Sequence, residues 1–199
     1  MSIEFSDTDI QNFYKLLSLN LTAYNCGNLC APENGGEPYC CIVENAVPLL
    51  YREEFKYLQN RSTIWSRWKP KTKHNKKLKA EGESRTAIFC ECKGVQFCER
   101  ENRSISCRTF PLEPYIDEKG RFSGLIFMKE FRGKCPLMKR LADFQQKTID
   151  NHYKFWCLIF EKRPDEFELY KSTSKGWRIS SGKTGKELPV LKPSHLKLL

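Results

Sequence analysis

The 199-residue chain has few histidines and no long apolar run. Three histidines, His74, His152 and His195, are too few and too scattered for a mixed Cys/His zinc finger. The longest apolar run, residues 155–160, is far shorter than the roughly 20 residues that a membrane-spanning helix needs. Residues 1–7 are polar and acidic and lack the basic and apolar regions of a secretory signal. We therefore predict a cytoplasmic protein without a membrane span.

Several enzyme motifs are also missing from the sequence. There is no H-E-x-x-H helix and no Ser/His/Asp order of a hydrolase. Gly182-Lys183-Thr184 lacks the upstream glycine of a P-loop, and Gly35-Gly36 lacks the strand-to-helix context of a dinucleotide-binding turn. These absences argue against a nucleotide-dependent enzyme and a conventional hydrolase.

Cysteine is abundant, with ten residues, and eight of them fall in two groups. Because reduced compartments keep thiols free, clustered cysteines are candidate metal ligands there. Zinc binds four tetrahedral ligands, and an iron–sulfur cluster also binds four thiolates. The alternative is that some of these thiols are buried and act as small apolar side chains, as we expect for Cys157. The groups are Cys26, Cys30, Cys40 and Cys41, and then Cys90, Cys92, Cys98 and Cys107.

The order of these cysteines resembles a known family. The chain has Cys26-x3-Cys30, a Gly-Gly loop into Cys40-Cys41, and Pro48-Leu49-Leu50 with Glu53-Glu54; later come Phe97-Cys98, Cys107-Arg108-Thr109-Phe110-Pro111-Leu112 and Cys135-Pro136. Over residues 24–138 this set resembles the YkgJ-like cysteine-cluster family, a zinc- or iron-chelating domain. The chain departs from the pattern in the long spacing before Cys40 and in the insertion of residues 61–80.

The resemblance implies a metal-binding domain. The iron–sulfur form, with a [4Fe–4S] cluster favoured, is our first expectation, because the cysteine supply exceeds the needs of one zinc ion. The flagellin lysine N-methylase branch of the family implies a redox or methyl-transfer enzyme acting on a protein or peptide substrate. The alternative is a non-catalytic, zinc-stabilised module. The ligands implied by the resemblance are Cys26, Cys30, Cys40, Cys41, Cys98, Cys107 and Cys135.

Positive charge dominates the sequence, with a formal net charge of +10. Four thiolates around such a metal centre leave about two negative charges that need compensation. Lys93, Arg100, Arg103 and Arg108 lie close to the cysteines, and we assign cofactor binding to Arg108. Residues 61–80 carry eight Lys/Arg, no acid, and Trp65 and Trp68. This combination suits nucleic-acid binding by phosphate contact and base stacking, and the alternative is a solvated, mobile loop.

The expected fold is a small, metal-organised α+β domain with short helices, short strands and irregular cysteine-rich loops. Apolar spacing predicts helices over residues 7–19, 48–59 and 137–162, and a strand over residues 121–128. We place the cysteine-cluster domain at residues 1–165, with a basic insertion at about 61–85. Residues 171–199 carry seven basic residues and one acid, so residues 166–199 are predicted to form a loosely structured basic tail.

Overall fold

A computed structural model describes residues 3–196 and confirms a mixed α+β fold. The chain forms two compact units: an amino-terminal unit of residues 4–18 and 27–108, and a carboxy-terminal unit of Ile3, residues 19–26 and residues 109–196. The helices are α1 (Asp7–Leu16), α2 (Arg52–Gln59), α3 (Lys73–Gly82), α4 (Ile105–Thr109), α5 (Gln146–Lys162) and α6 (Pro164–Thr184). The strands are β1 (Leu49–Tyr51), β2 (Trp65–Arg67), β3 (Ala87–Cys92), β4 (Leu112–Ile116) and β5 (Phe122–Phe127).

A three-stranded antiparallel sheet, in the order β1-β3-β2, organises the amino-terminal unit. Leu50 of β1 lies opposite Ile88 of β3, so the predicted helix over residues 48–59 begins only at Arg52. The pairing with β3 outweighs the helical pattern of these residues. The sheet and α2 enclose a core of Leu50, Phe55, Leu58, Ile64, Trp65, Ile88 and Cys90.

Helix α1 is fixed at its start by a capping box. The Ser6 hydroxyl accepts the backbone N–H of Asp9, and the Asp9 carboxylate accepts the backbone N–H of Ser6. Ile10 and Phe13 are buried, as the spacing of three and four predicts.

The basic insertion is anchored and not a mobile loop. Its β2 strand pairs with β3, and Trp65 and Trp68 are buried. The indole N–H of Trp65 donates to the backbone oxygen of Asn102 at 2.8 Å, and Trp68 packs edge-on against Phe89. Burial of both indoles excludes the predicted stacking of these two rings on bases, because a base needs an open ring face.

The carboxy-terminal unit is built on the antiparallel hairpin of β4 and β5. Helix α6 packs on β4, and Trp177 joins Tyr115 and Ile126 in the core of this unit. The Ser174 hydroxyl accepts the backbone N–H of Ile116 at 2.9 Å, which ties the helix to the strand. Of the helix predicted over residues 137–162, only α5 is α-helical; short 3₁₀ turns precede it. Neither α5, α6 nor any other helix within residues 3–196 is both long and apolar enough to cross a bilayer.

The structure differs from the loosely structured tail predicted for residues 166–199. Helix α6 runs to Thr184, because Ser174 and Trp177 supply a buried face. Arg178 extends this face by donating to the backbone oxygen of Ile116, and the lysines of α6 are exposed. Beyond it, Leu191 pairs with Leu125 of β5 through two backbone hydrogen bonds of 2.8 and 2.9 Å. A side chain at Gly124 (φ +147°) would place its Cβ 2.6 Å from the backbone oxygen of Leu191, so this pairing requires glycine there. Residues 197–199 lie outside the described residues.

His152 generates a pH prediction for the carboxy-terminal unit. The ring is fully buried, neither nitrogen has a hydrogen-bond partner within residues 3–196, and burial lowers the pKa of His152 from 6.5 to about 4. The unfolded chain therefore binds a proton here between about pH 6.5 and 4 that the folded chain does not. Folding stability should fall by about 3 kcal/mol as the pH decreases through this window, measured by urea unfolding.

Substitution of His152 isolates this contribution from other groups. His152→Leu should remove that part of the pH dependence, whereas His74→Gln, at an exposed histidine, should leave it unchanged. An identical pH dependence in wild type and His152→Leu would show that His152 is not buried in its neutral form.

Candidate metal centre

Seven of the ten cysteines lie in the amino-terminal unit, and Cys26, Cys135 and Cys157 lie in the carboxy-terminal unit. No disulfide joins any two of the ten sulfurs within residues 3–196. The predicted ligand pool is therefore shared between two units: Cys26 begins a 3₁₀ turn at residues 26–29, and Cys135 precedes another at residues 136–139.

Four sulfurs of the amino-terminal unit share one neighbourhood. We call Cys41, Cys92, Cys98 and Cys107 the thiol cluster. Burial raises the pKa of Cys92, and negative charge on Cys41 and Cys98 raises it further. Burial also raises the pKa of Cys107 to about 12, and charge on Cys92 and Cys41 acts in the same direction. The cluster thus unites one sulfur of the first cysteine group with three of the second.

Each sulfur of the thiol cluster is carried by a different short element. Cys41 ends the 3₁₀ turn of residues 39–41, Cys92 ends β3, Cys98 follows the 3₁₀ turn of residues 95–97, and Cys107 lies in α4. Within residues 3–196, no three Cys, His, Asp or Glu side chains are close enough to hold one metal ion. The four sulfurs therefore lie near one another but do not form a coordination geometry.

The vicinal pair Cys40-Cys41 contributes a reactive thiol to the cluster. A hydrogen bond from Cys40 lowers the pKa of Cys41 to about 7, burial opposes this shift, and the positive charge of Arg103 supports it. A thiolate is the form that binds metals, and at a pKa of about 7 a large fraction of Cys41 is thiolate near neutral pH.

Arg103 supplies the positive charge among the sulfurs. Its Nε–H donates to Cys98 Sγ at 3.2 Å, and burial lowers its pKa while the charges of Cys98, Cys107 and Cys41 raise it, with a net increase. A half-buried guanidinium with these neighbours offsets the negative charge that several thiolates bring together.

Arg108, for which we predict cofactor binding, donates its hydrogen bonds to the backbone. It donates to the backbone oxygens of Arg103, Leu17, Arg100 and Glu101 at 2.8 to 3.2 Å, and its guanidinium lies 4.5 Å from the centre of the Tyr14 ring. These carbonyls use four of its five N–H donors. Arg108 therefore holds the backbone around the cluster in place, and Arg103 is the arginine that contacts sulfur.

Buried Glu54 positions α4, the helix that carries Cys107. Its carboxylate accepts the backbone N–H of Ile105, the first residue of α4, at 2.6 Å, and the Tyr14 hydroxyl at 3.1 Å. Burial raises the pKa of Glu54 to about 7, and these hydrogen bonds limit the increase.

The other cysteines of the amino-terminal unit have distinct surroundings. Cys30 Sγ accepts the backbone N–H of Tyr39 at 3.4 Å, a contact of the kind that stabilises thiolates. Cys90 is fully buried in the core, and burial raises its pKa to about 12, so it acts as a small apolar side chain. Cys92 was not among the predicted ligands. The signal for it was the Cys-x-Cys spacing on β3, which places Cys90 and Cys92 on one face, with Cys92 at the strand end.

No family model, curated protein or solved structure matches this chain. The likeness to the YkgJ-like family therefore stays a prediction, and the function has to be inferred from the residues of the site.

Substitution of Arg108 and substitution of Arg103 should lower the free energy of unfolding by different amounts. Arg108→Met should lower the free energy of unfolding by about 2 to 4 kcal/mol, because it leaves several backbone oxygens without donors. Arg103→Met removes one contact to sulfur and should cost less than about 1 kcal/mol. Urea unfolding in reducing, chelator-containing buffer measures both. Equal losses in the two variants would contradict the division of roles.

Proposed function

We propose that the amino-terminal unit binds an iron–sulfur cluster through the thiol cluster. The observation that carries this proposal is that Cys41, Cys92, Cys98 and Cys107 interact electrostatically with one another and with Arg103, which also donates a hydrogen bond to Cys98 Sγ. Thiolates are the ligands that iron–sulfur clusters and zinc use, and no histidine is needed.

The donor set fits an iron–sulfur centre in its chemistry. With Cys40 next to Cys41, five thiols are available, which is enough for the four thiolates that a [4Fe–4S] cluster binds. Hydrogen bonds from Arg103 to Cys98 and from Tyr39 to Cys30 are the contacts that stabilise ligated sulfurs. The thiol cluster would hold the group, with Cys40, the neighbour of Cys41, and Cys30, eleven residues before Cys41, as further sulfurs. When bound, such a group supplies one-electron redox chemistry.

The segment of residues 28–48, which carries Cys30, Cys40 and Cys41, provides a second line of support for a bound metal. No side chain between residues 28 and 48 is buried, so no apolar core fixes this segment. Its 3₁₀ turns at residues 31–34 and 39–41 have no buried residue, and Cys40 and Cys41 are half-buried. A metal centre stabilises such loops directly, because metal binding is coupled to folding. This supports a bound metal of either kind.

A redox or methyl-transfer reaction on a protein or peptide substrate is the enzymatic role that we propose for the site. It is motivated by the resemblance to flagellin lysine N-methylases together with the redox chemistry of a thiolate-held cluster. The second candidate is a zinc-stabilised module without catalysis, which the absence of buried side chains at residues 28–48 supports equally.

Metal analysis after purification without oxygen tests the proposal. We expect iron and sulfide in equal amounts and absorbance near 400 nm. Cys41→Ser, Cys98→Ser and Cys107→Ser should each reduce the bound iron at least about tenfold, because a lost ligand weakens the site more than a lost supporting contact does. Cys157→Ser, on α5 of the other unit, is the matched control and should retain the iron.

The remaining outcomes distinguish the candidates. Stoichiometric zinc without visible absorbance, lost in the same three variants, would replace the iron–sulfur proposal with the zinc module. A protein that binds neither metal, or whose metal survives all three substitutions, would overturn the site itself.

Arg103 provides an independent test of charge compensation. Arg103→Met should weaken metal binding about 10- to 100-fold, while Arg103→Lys, which keeps the charge, should recover part of this loss. Competition with a chromophoric chelator measures both affinities. Unchanged affinity in Arg103→Met would contradict a role for this cation at the centre.

A further inference from the structure

A compact group of lysines projects from the basic insertion. We call Lys69, Lys71, Lys73, Lys76 and Lys77 the basic surface; all five are exposed, and no acidic residue lies between positions 69 and 77. Within residues 3–196, Lys77 alone of the five forms an ion pair, with Glu81 at 3.7 Å. Both of those side chains are mostly exposed, so this pair neutralises little of the charge.

The lysines of α3 repel one another along one face of the helix. Lys73, Lys76 and Lys77 are spaced by three and four residues, and like charges at this spacing destabilise a helix. A polyanion on this face would remove the repulsion and neutralise several charges at once.

Ion pairs and hydrogen bonds fix both ends of the segment that carries the basic surface. Arg67 and Lys79 pair with Glu83 at 2.9 and 3.9 Å, and Glu83 also accepts the backbone N–H of Phe89 at 3.1 Å. Together with buried Trp68, these contacts join both ends of the segment to β3. The backbone that carries the exposed lysines therefore requires little ordering when a partner binds, which lowers the entropic cost of association.

The composition of the surface favours phosphate over other anionic partners. A helix that lies in a membrane interface presents a broad apolar face, whereas α3 has Leu78 as its one large apolar residue. Protein interfaces are depleted in lysine and enriched in aromatic residues, and here Trp65 and Trp68 are buried. Lysine clusters are typical of contacts with nucleic-acid phosphates.

We propose that the basic surface binds the phosphate backbone of duplex nucleic acid without reading its base sequence. A duplex carries a higher charge density than a single strand, and burial of both indoles leaves the His74 imidazole as the one exposed ring of residues 61–80 for stacking on the bases of a single strand. This inference does not depend on the metal centre, since none of its residues belongs to the thiol cluster.

Salt-dependent binding of labelled 20-base-pair DNA of random sequence tests the proposal on the full chain. Contacts to three to five phosphates predict that affinity falls about 40- to 500-fold between 50 and 200 mM salt, measured by fluorescence anisotropy. Duplexes of different sequence should bind equally, and a single strand of the same length more weakly. Tighter binding of the single strand, or no salt dependence, would overturn the proposal.

A triple substitution locates the binding to α3. Lys73→Glu/Lys76→Glu/Lys77→Glu should reduce the logarithmic salt slope by about 3 and weaken binding more than tenfold. The matched control Lys139→Glu/Lys147→Glu/Lys154→Glu changes three exposed lysines of the other unit and lowers the net charge equally, from +10 to +4. Circular dichroism verifies that both variants are folded.

Equal weakening in the two triple variants would overturn the assignment to this surface, since net charge alone would then explain binding. Vesicles containing acidic phospholipid and an Asp/Glu-rich peptide complete the experiment. Binding to either that is lost in the α3 variant, without binding to DNA, would replace the nucleic-acid proposal.

Discussion

The segment of residues 28–48 has to be held without a hydrophobic core, and this constraint governs the amino-terminal unit. Ordering the backbone costs roughly 1 to 2 kcal/mol per residue, so some twenty residues without buried side chains need a substantial source of stability. Short 3₁₀ turns satisfy part of the backbone hydrogen bonding but bury little apolar surface. In the metal centre that we propose, the sulfurs of this segment and of residues 92–107 would supply further stability by binding a common group.

Polar side chains buried beneath this region keep the second group of cysteines in place. Glu54 fixes the start of α4, and Arg108 donates to the backbone oxygen of Leu17, just after α1, and to those of residues 100, 101 and 103. Both residues make hydrogen bonds to the backbone, whereas Arg103 donates a hydrogen bond to Cys98 Sγ. Support of the backbone and contact with the reactive atoms are thus divided between neighbouring arginines.

The sequence predicted the α+β class and helix α1, because these depend on local spacing and composition. It did not predict β1, since Leu49–Tyr51 look helical alone and become a strand only by pairing with β3. The same limit applied to the site. Burial of Trp65 and Trp68, the separation of Cys26 and Cys135 into the other unit, and the roles of Arg103 and Arg108 all depend on contacts between distant parts of the chain. Spacing alone does not reveal such contacts.

Within the carboxy-terminal unit, the bridge between Leu125 and Leu191 covers part of the outer edge of β5. An uncovered strand edge offers unpaired N–H and C=O groups to strands of other molecules. The short segment around Leu191 therefore blocks part of this edge from pairing with strands of other molecules. Shortening the chain before this point would expose a strand whose Leu125, Ile126 and Phe127 are fully buried, and would make the protein prone to aggregation.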